Sequence, residues 1–160
     1  MLSSIGCGYH VAGKSDALPP TVRSIAVPAF TSRTPTYRIE TRLTEAVVRE
    51  FNTRTRYRVT SNPEDADAVL RATVTSAQVA PLTYDSRTGQ ASTALVTVAV
   101  KVTLTARDGK VLFENQNYIF REQYQITRDP SSFFEEEGPA LDRLSRDFAR
   151  TLVSNLLEAF

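Results

Sequence analysis

Residues 94–106 place the strongest constraint on what this chain folds into. Aliphatic side chains occupy every second position in the middle of this segment, and small, polar or charged side chains lie between them. The aliphatic set is Val96, Val98, Val100, Val102 and Leu104. A period of two is typical of a β-strand that buries one face in the core and leaves the other face wetter. The sequence therefore predicts a long strand in the body of a sheet.

Two further long strands are predicted to pair with this one. Asp108 and Gly109 favour a two-residue hairpin turn, so residues 111–124 are expected to form the return strand. Upstream, residues 68–79 alternate in a similar way and are expected to end ahead of Pro81, because proline cannot donate to a strand ladder. The three segments together predict an antiparallel meander.

A helix is predicted between two shorter strands, which cover residues 23–30 and 57–60. Apolar side chains at intervals of four indicate an amphipathic helix over about residues 38–52. They are Ile39, Leu43, Val47 and Phe51. A strand, a helix and a strand in this order predict a right-handed crossover that leaves the two short strands parallel.

The start of this first helix has its own sequence signals. Thr34 is expected to cap the helix, with Pro35 at the first helical position. On the polar face, Glu45 and Arg49 have the i,i+4 spacing of an ion pair.

A second helix is predicted at the end of the chain. Its apolar stripe consists of Leu141, Leu144, Phe148, Leu152 and Leu156. Ser132 and Glu135 have the spacing of a capping box, but Gly138 and Pro139 follow at once. We therefore expect one short turn before Pro139 and the helix proper after it.

The predicted order of elements is β-α-β-β-β-β-α, which places the chain in the α+β class. Each helix has one apolar stripe to bury, and a sheet with one apolar face can cover both stripes. The prediction is a two-layer sandwich, with two helices on one face of a mixed, mainly antiparallel sheet of four to five strands. The length of 160 residues fits a single domain, expected to cover residues 23–160.

Several function classes are not supported by the sequence. The net charge of +1 gives no global field for nucleic acid, and residues 94–106 lack the stacking aromatics of RNA-binding sheets. No phosphate-binding glycine loop, nucleophile elbow or zincin helix is present. Cys7 and His10 are too few ligands for a zinc site. We expect no enzyme activity, catalytic residue, metal, cofactor or nucleic-acid partner.

Cys7 is the single cysteine of the chain and cannot form an internal disulfide. The small residues before it resemble the end of a bacterial lipoprotein signal, which predicts lipid attachment at Cys7. Residues 1–22 are then a signal remnant, the anchor cysteine and a tether. No apolar run of about 18 residues follows, so the membrane is expected to be reached through Cys7 alone. A free thiol near the terminus is the alternative.

Four basic residues are candidates for binding an anionic partner. Arg87 lies in the connection formed by residues 84–90, where an exposed guanidinium can bind phosphate bidentately. The same segment is also compatible with an ordinary hairpin loop. Lys101 lies on the wetter face of its strand. Arg107 and Lys110 flank the next hairpin turn and are expected at the opposite end of the sheet from Arg87.

The chain resembles the LptE family in the sequence that begins at its cysteine, Cys7-Gly8-Tyr9-His10-Val11-Ala12-Gly13. Further similarity lies in residues 25–30, 39–44 and 66–70 and in the last helix. The resemblance implies two helices on a four-stranded sheet and a non-enzymatic lipoprotein of the outer membrane, anchored on its periplasmic side. It also implies a plug inside the LptD β-barrel, which assists barrel assembly and binds lipopolysaccharide.

The resemblance gives the basic residues a role. Arg87 is expected to contact lipid A phosphates or carboxylates of the barrel lumen, with Lys101, Arg107 and Lys110 as weaker candidates. Two alternatives stay open. One is a different periplasmic lipoprotein, an adaptor or lipid-binding module of another envelope complex. The other is a cytosolic RNA-binding module in which Cys7 has no role.

Overall fold

The computed structural model of the chain describes residues 18–34, 38–126 and 133–159. The predictions that concern Cys7, Pro35 and Ser132 lie outside these residues. The strands are β1 (Ser24–Ala26), β2 (Thr31–Ser32), β3 (Arg58–Thr60), β4 (Ala68–Tyr84), β5 (Ala91–Ala106) and β6 (Val111–Gln125). The helices are α1 (Ile39–Arg54) and α2 (Phe133–Glu158), and a 3₁₀ turn (Pro63–Asp65) lies between β3 and β4.

Within the described residues, the strands form one six-stranded sheet in the order β3-β1-β4-β5-β6, with β2 pairing beside β4. The pairs of β1 with β3 and of β1 with β4 are parallel, as is the pair of β2 with β4. The meander of β4, β5 and β6 is antiparallel. The α+β class and the parallel pair around the first helix are confirmed. The sheet has one strand more than predicted, because β2 is only two residues long and shows no period.

Both helices pack on the same face of this sheet. The predicted stripe of α1 is fully buried at Ile39, Leu43, Val47 and Phe51, each with 0% of its surface exposed. On α2, Phe148 packs edge-on against the rings of Tyr118 and Phe120 in β6, at centroid distances of 6.1 and 5.3 Å. The Asn155 amide donates to the Tyr118 hydroxyl at 2.7 Å. The two-layer sandwich is therefore held together by two buried helix stripes.

The start of α1 differs from the prediction. The helix begins at Ile39, and its N-cap is Arg38, so the expected cap at Thr34 is wrong. The Thr34 N–H donates to the Ser32 Oγ, and the Ser32 hydroxyl donates to the Thr34 carbonyl at 2.7 Å. Thr34 thus belongs to a local turn after β2, which competes with its use as a helix cap.

Two predictions based on proline are wrong, because Pro81 does not end β4 and α2 begins before Pro139. Strand β4 continues through Pro81 to Tyr84, with register shifts on both sides of Thr83. Among the described residues, β5 alone pairs with this part of β4, and an edge strand tolerates a missing N–H group. Helix α2 includes Pro139, which removes one helical hydrogen bond in a helix of 26 residues. Burial of its long apolar stripe offsets that loss.

Asp67 connects the first strand to the start of β4. Its Oδ2 accepts hydrogen bonds from the Arg23 N–H at 2.9 Å, the Ser24 N–H at 3.1 Å and the Ser24 hydroxyl at 3.0 Å. The hydrogen bond from the Arg23 backbone, followed by that from the Ser24 side chain, holds the pKa of Asp67 below its ordinary value. The charged carboxylate therefore stabilises the junction of β1 and β4.

Leu18 and Val22, in the part of the predicted tether that the structure describes, are buried in the core, with 4% and 5% of their surfaces exposed. The Val22 N–H donates to the Pro19 carbonyl at 2.8 Å, which closes a turn around the two prolines. The division of the chain into a tether and one domain stays a prediction.

Candidate functional site

The hairpin of β4 and β5 extends past the part of β4 that the helices cover. A strand of 16 residues such as β5 spans roughly 50 Å. Near its start, β4 alternates between buried and exposed side chains, but every residue from Gln78 to Tyr84 is exposed. The contrast is clear across the ladder, because Val79 is 36% exposed while its partner Val96 is 1% exposed. The apolar face of β5 is therefore buried here, whereas β4 is open.

This open part of β4 is apolar and uncharged. Val79, Leu82 and Tyr84 are 36%, 42% and 61% exposed, and residues 75–84 contain no charged side chain. Among the described residues, no strand pairs with the outer edge of β4 beyond Val74. Edge strands are usually protected by charges, so an uncharged edge with exposed apolar side chains marks an interaction surface. We call Val79, Leu82, Tyr84 and the neighbouring Arg87 the hairpin surface.

Arg87 lies at the tip of the hairpin, in an ordered turn. The Asp85 N–H donates to the Gln90 carbonyl and the Gly89 N–H donates to the Asp85 carbonyl, both at 2.8 Å. The Arg87 N–H donates to the Asp85 Oδ1 at 2.8 Å, and Gly89 supplies the left-handed φ of 66° that the turn needs. In the described part of the chain, the Arg87 guanidinium has no side-chain partner. The structure thus places this residue at an exposed tip, as the sequence suggests.

Lys101 and Arg107 are less available than Arg87 to bind an anionic partner. Lys101 lies on the helix-free face of the sheet, with its Nζ 4.0 Å from the Glu114 Oε1. The Arg107 Nε donates to the Ala66 carbonyl and its Nη2 donates to the Glu64 carbonyl, both at 3.3 Å. Arg107 therefore supports the turn before β4, and its side chain has a structural role.

Lys110 lies in the turn between β5 and β6, where its N–H donates to the Asp108 Oδ1 at 3.0 Å. Its backbone carbonyl accepts from the Ala106 N–H at 2.8 Å. The length of β5 separates this turn from Arg87 by roughly 50 Å. Lys110 and Arg107 are thus at the opposite end of the sheet from Arg87, as predicted, and the four basic residues do not form one patch.

Sequence reasoning missed two arginines on the helix-free face. Arg71 is directly opposite Thr103, and Arg121 is directly opposite Thr97, so both side chains share a face with Lys101. Both arginines are exposed, and no side chain of the described residues pairs with either. The alternation of β4 carries the signal for Arg71, which falls between the buried Leu70 and Ala72, whereas Arg121 lies between the half-buried Phe120 and Glu122. This face combines three cations with threonine hydroxyls.

The described residues contain neither a helix that could cross a membrane nor a cluster of metal-binding side chains. In residues 18–34, 38–126 and 133–159, no helix has the length and apolarity to cross a membrane. In the same part of the chain, no three histidine, cysteine, aspartate or glutamate side chains are grouped as metal ligands.

Solved structures show that this fold is shared with bacterial lipoproteins. Rare lipoprotein B from Shewanella oneidensis aligns with a TM-score of 0.55 at 14% identity, over 85% of this chain and 92% of that chain. Lipoprotein B from Nitrosomonas europaea aligns with a TM-score of 0.56 at 16% identity, over 89% of this chain and 92% of that chain.

The fold also occurs in another assembly. The PelC dodecamer from Paraburkholderia phytofirmans aligns with a TM-score of 0.53 at 15% identity, over 91% of this chain and 95% of that chain. At such low identity these likenesses show the fold alone, and fold does not determine function. A comparison with curated protein sequences gives no match.

The family is shown by the sequence itself. The family model for LptE, described as lipopolysaccharide-assembly, matches residues 22–156, from two residues before β1 to two residues before the end of α2. The match therefore covers nearly all of the two-layer sandwich, including the hairpin surface. This chain belongs to the LptE family of lipopolysaccharide-assembly proteins.

Proposed function

We propose that this chain is the lipoprotein subunit of the outer-membrane lipopolysaccharide translocon. It occupies the lumen of an LptD-type β-barrel, assists the assembly of that barrel and binds lipopolysaccharide on its way to the outer leaflet. The match of residues 22–156 to the LptE family carries this proposal. The LptE family is an assembly family and is not known as a family of enzymes, so the proposed role is non-enzymatic.

The hairpin surface supports the contact with a barrel. Its three apolar side chains are 36%, 42% and 61% exposed in the isolated chain, and a partner would remove them from water. Burial of apolar area contributes about 25 cal/mol per Å², so Leu82 and Tyr84 together can contribute about 2–4 kcal/mol to binding. The absence of charge in residues 75–84 means that no ion has to be desolvated there.

Arg87 supports the contact with lipopolysaccharide. A guanidinium without an internal partner can bind a lipid A phosphate through two parallel hydrogen bonds, or a carboxylate of the barrel lumen in the same way. Lys101 is a weaker candidate because Glu114 already lies 4.0 Å away. Arg107 is occupied by carbonyl groups, and Lys110 lies at the other end of the sheet.

The proposed location is the periplasmic side of the outer membrane, with acyl chains on Cys7 as the anchor. Each buried methylene contributes about 0.8 kcal/mol, so two or more acyl chains hold a domain stably on a bilayer. Growth with a radiolabelled fatty acid tests this step. Label in the natural protein and none in Cys7→Ser is the expected result, and equal label in both would exclude Cys7 as the attachment point.

Copurification tests the proposed partner. The tagged full-length chain is purified from detergent-solubilised envelopes of the source bacterium, and an LptD-type barrel is expected at near one-to-one stoichiometry. Leu82→Asp is expected to reduce recovery of the barrel, because it puts a charge on the hairpin surface. Val111→Asp is the matched control, since Val111 is 51% exposed at the other end of the sheet. Recovery of a different envelope complex without a barrel would favour the adaptor alternative.

A further inference from the structure

A groove of about 620 Å³ lies between α1 and α2 on the helix layer, away from the hairpin surface. Four arginines line it, of which three belong to α1 or its N-cap and one belongs to α2. They are Arg38, Arg42, Arg49 and Arg146. The lining also contains the carboxylates of Glu45 and Asp142. This arginine groove therefore carries a local charge of about +2 in a chain whose net charge is +1.

Two of these arginines are engaged within the protein. Arg42 forms an ion pair with Asp142, which connects α1 to α2. The Arg146 Nε donates to the Asp142 backbone carbonyl at 3.4 Å. Asp142 thus accepts from both arginines through different oxygens, and its carboxylate is paired with Arg42.

The guanidinium groups of the other two arginines, Arg38 and Arg49, have no internal partner among the described residues. Arg49 has the spacing to pair with Glu45, but the structure contains no ion pair between them, so that prediction is wrong. Arg54 and Glu50 form the i,i+4 pair of α1 instead, at 3.0 Å. Arg49 is consequently free to bind a group that enters the groove.

Arg38 lies at the start of α1, where it lines the groove. Its φ of 45° and ψ of 36° lie in the left-handed region, where non-glycine residues are strained. Its guanidinium has hydrogen-bond donors alone, so it cannot cap the helical N–H groups of α1. Arg38 thus adds a cation beside the positive end of the helix, and both favour an anion there.

We propose that the arginine groove binds a phosphomonoester group, with Arg38 and Arg49 as its principal ligands. Guanidinium groups match the geometry of phosphate oxygens, and a doubly charged phosphomonoester complements the local charge of about +2. The volume is within the range of about 300–1,000 Å³ that is typical of small-molecule sites. This site lies on the helix layer and is independent of the proposed contact at Arg87.

The test is a titration of the isotope-labelled protein with sodium phosphate at constant ionic strength. Binding is monitored through changes in the amide chemical shifts in NMR spectra. Saturable shifts are expected in α1 and α2 near the groove, and sodium acetate is expected to give none. Arg38→Gln and Arg49→Gln are each expected to weaken phosphate binding about fivefold. Arg56→Gln is the matched control, because Arg56 is exposed, lies outside the groove and has no partner in the described part of the chain. This control is expected to bind phosphate normally.

Flotation with vesicles identifies the source of the phosphomonoester. The Arg38→Gln, Arg49→Gln double variant and the Arg56→Gln control are each mixed with vesicles of phosphatidic acid in phosphatidylcholine, and the fraction of protein that floats is compared. Flotation lost only in the double variant indicates a lipid headgroup. Equal flotation of both, combined with groove-dependent phosphate binding, indicates a soluble phosphate ester. The proposal is overturned when neither assay distinguishes the double variant from Arg56→Gln, at unchanged melting temperature.

Discussion

Replacing Asp67 with asparagine removes the charge that joins β1 to β4 while keeping the shape of the side chain. In the natural chain, Oδ2 accepts three hydrogen bonds, at 2.9, 3.1 and 3.0 Å, from Arg23 and Ser24. Hydrogen bonds to a charged group contribute about 1.5–3 kcal/mol each, and a neutral amide oxygen retains part of that. We expect Asp67→Asn to lower the free energy of unfolding by about 1.5–3 kcal/mol at pH 7.

The pH dependence follows from the depressed pKa of Asp67. A carboxyl whose pKa is lower in the folded state contributes stability above its unfolded pKa of about 3.9, and that contribution is lost as the pH falls through the folded value. Asparagine does not titrate. The difference between the natural chain and Asp67→Asn is therefore largest near neutral pH and shrinks in acid.

Urea denaturation at pH 7 and near pH 3 measures both quantities, with Asp108→Asn as the control. Asp108 is exposed and precedes Gly109 in the β5–β6 turn, where asparagine and aspartate are equally suitable. The control is expected to change stability by less than about 0.5 kcal/mol. An equal loss for Asp67→Asn at both pH values would refute the role of the charge.

Two further predictions concern the core and the hairpin tip. Leu144→Ala is expected to lower the free energy of unfolding by about 2–5 kcal/mol, because Leu144 lies on the buried face of α2 and is only 1% exposed. Thermal or urea denaturation measures this loss, and Leu157→Ala, at a half-buried position on the same helix, is the control. A negligible change for Leu144→Ala would mean that a different face of α2 is buried. Arg87→Glu is expected to weaken binding of purified lipopolysaccharide while changing stability by less than about 0.5 kcal/mol. Unchanged lipid affinity would remove Arg87 from the proposed site.

Much of the fold could be predicted because its signals are local and periodic. The alternation from Val96 to Leu104 and the stripe from Ile39 to Phe51 each identify a buried face without tertiary information. The errors lie where tertiary context decides. Pro81 is tolerated because no strand of the described residues pairs with the outer edge of β4 there, and Pro139 is tolerated because α2 buries a long stripe on the sheet. Neither fact is visible in the neighbouring sequence.

The candidate site was less predictable, for a related reason. The exposed position of Arg87 follows from the hairpin alone, which the sequence indicates. The pairing of Lys101 with Glu114 depends on the register of β5 against β6, which shifts at that point through a bulge. The hydrogen bonds from Arg107 to the carbonyl groups of Glu64 and Ala66 depend on the approach of two turns that are far apart in the sequence. Likewise, Arg38 and Arg146 line one groove only because α1 and α2 pack together.

The composition of the complex purified with this chain shows whether the protein is a subunit of the lipopolysaccharide translocon. Native mass spectrometry of the tagged, full-length protein extracted from outer membranes gives the partner and the stoichiometry in one measurement. We expect one copy of the chain with one copy of an LptD-type β-barrel, and acyl mass added to the chain. A homo-oligomer of the chain, or a complex without a barrel, would contradict the proposed place in the lipopolysaccharide translocon.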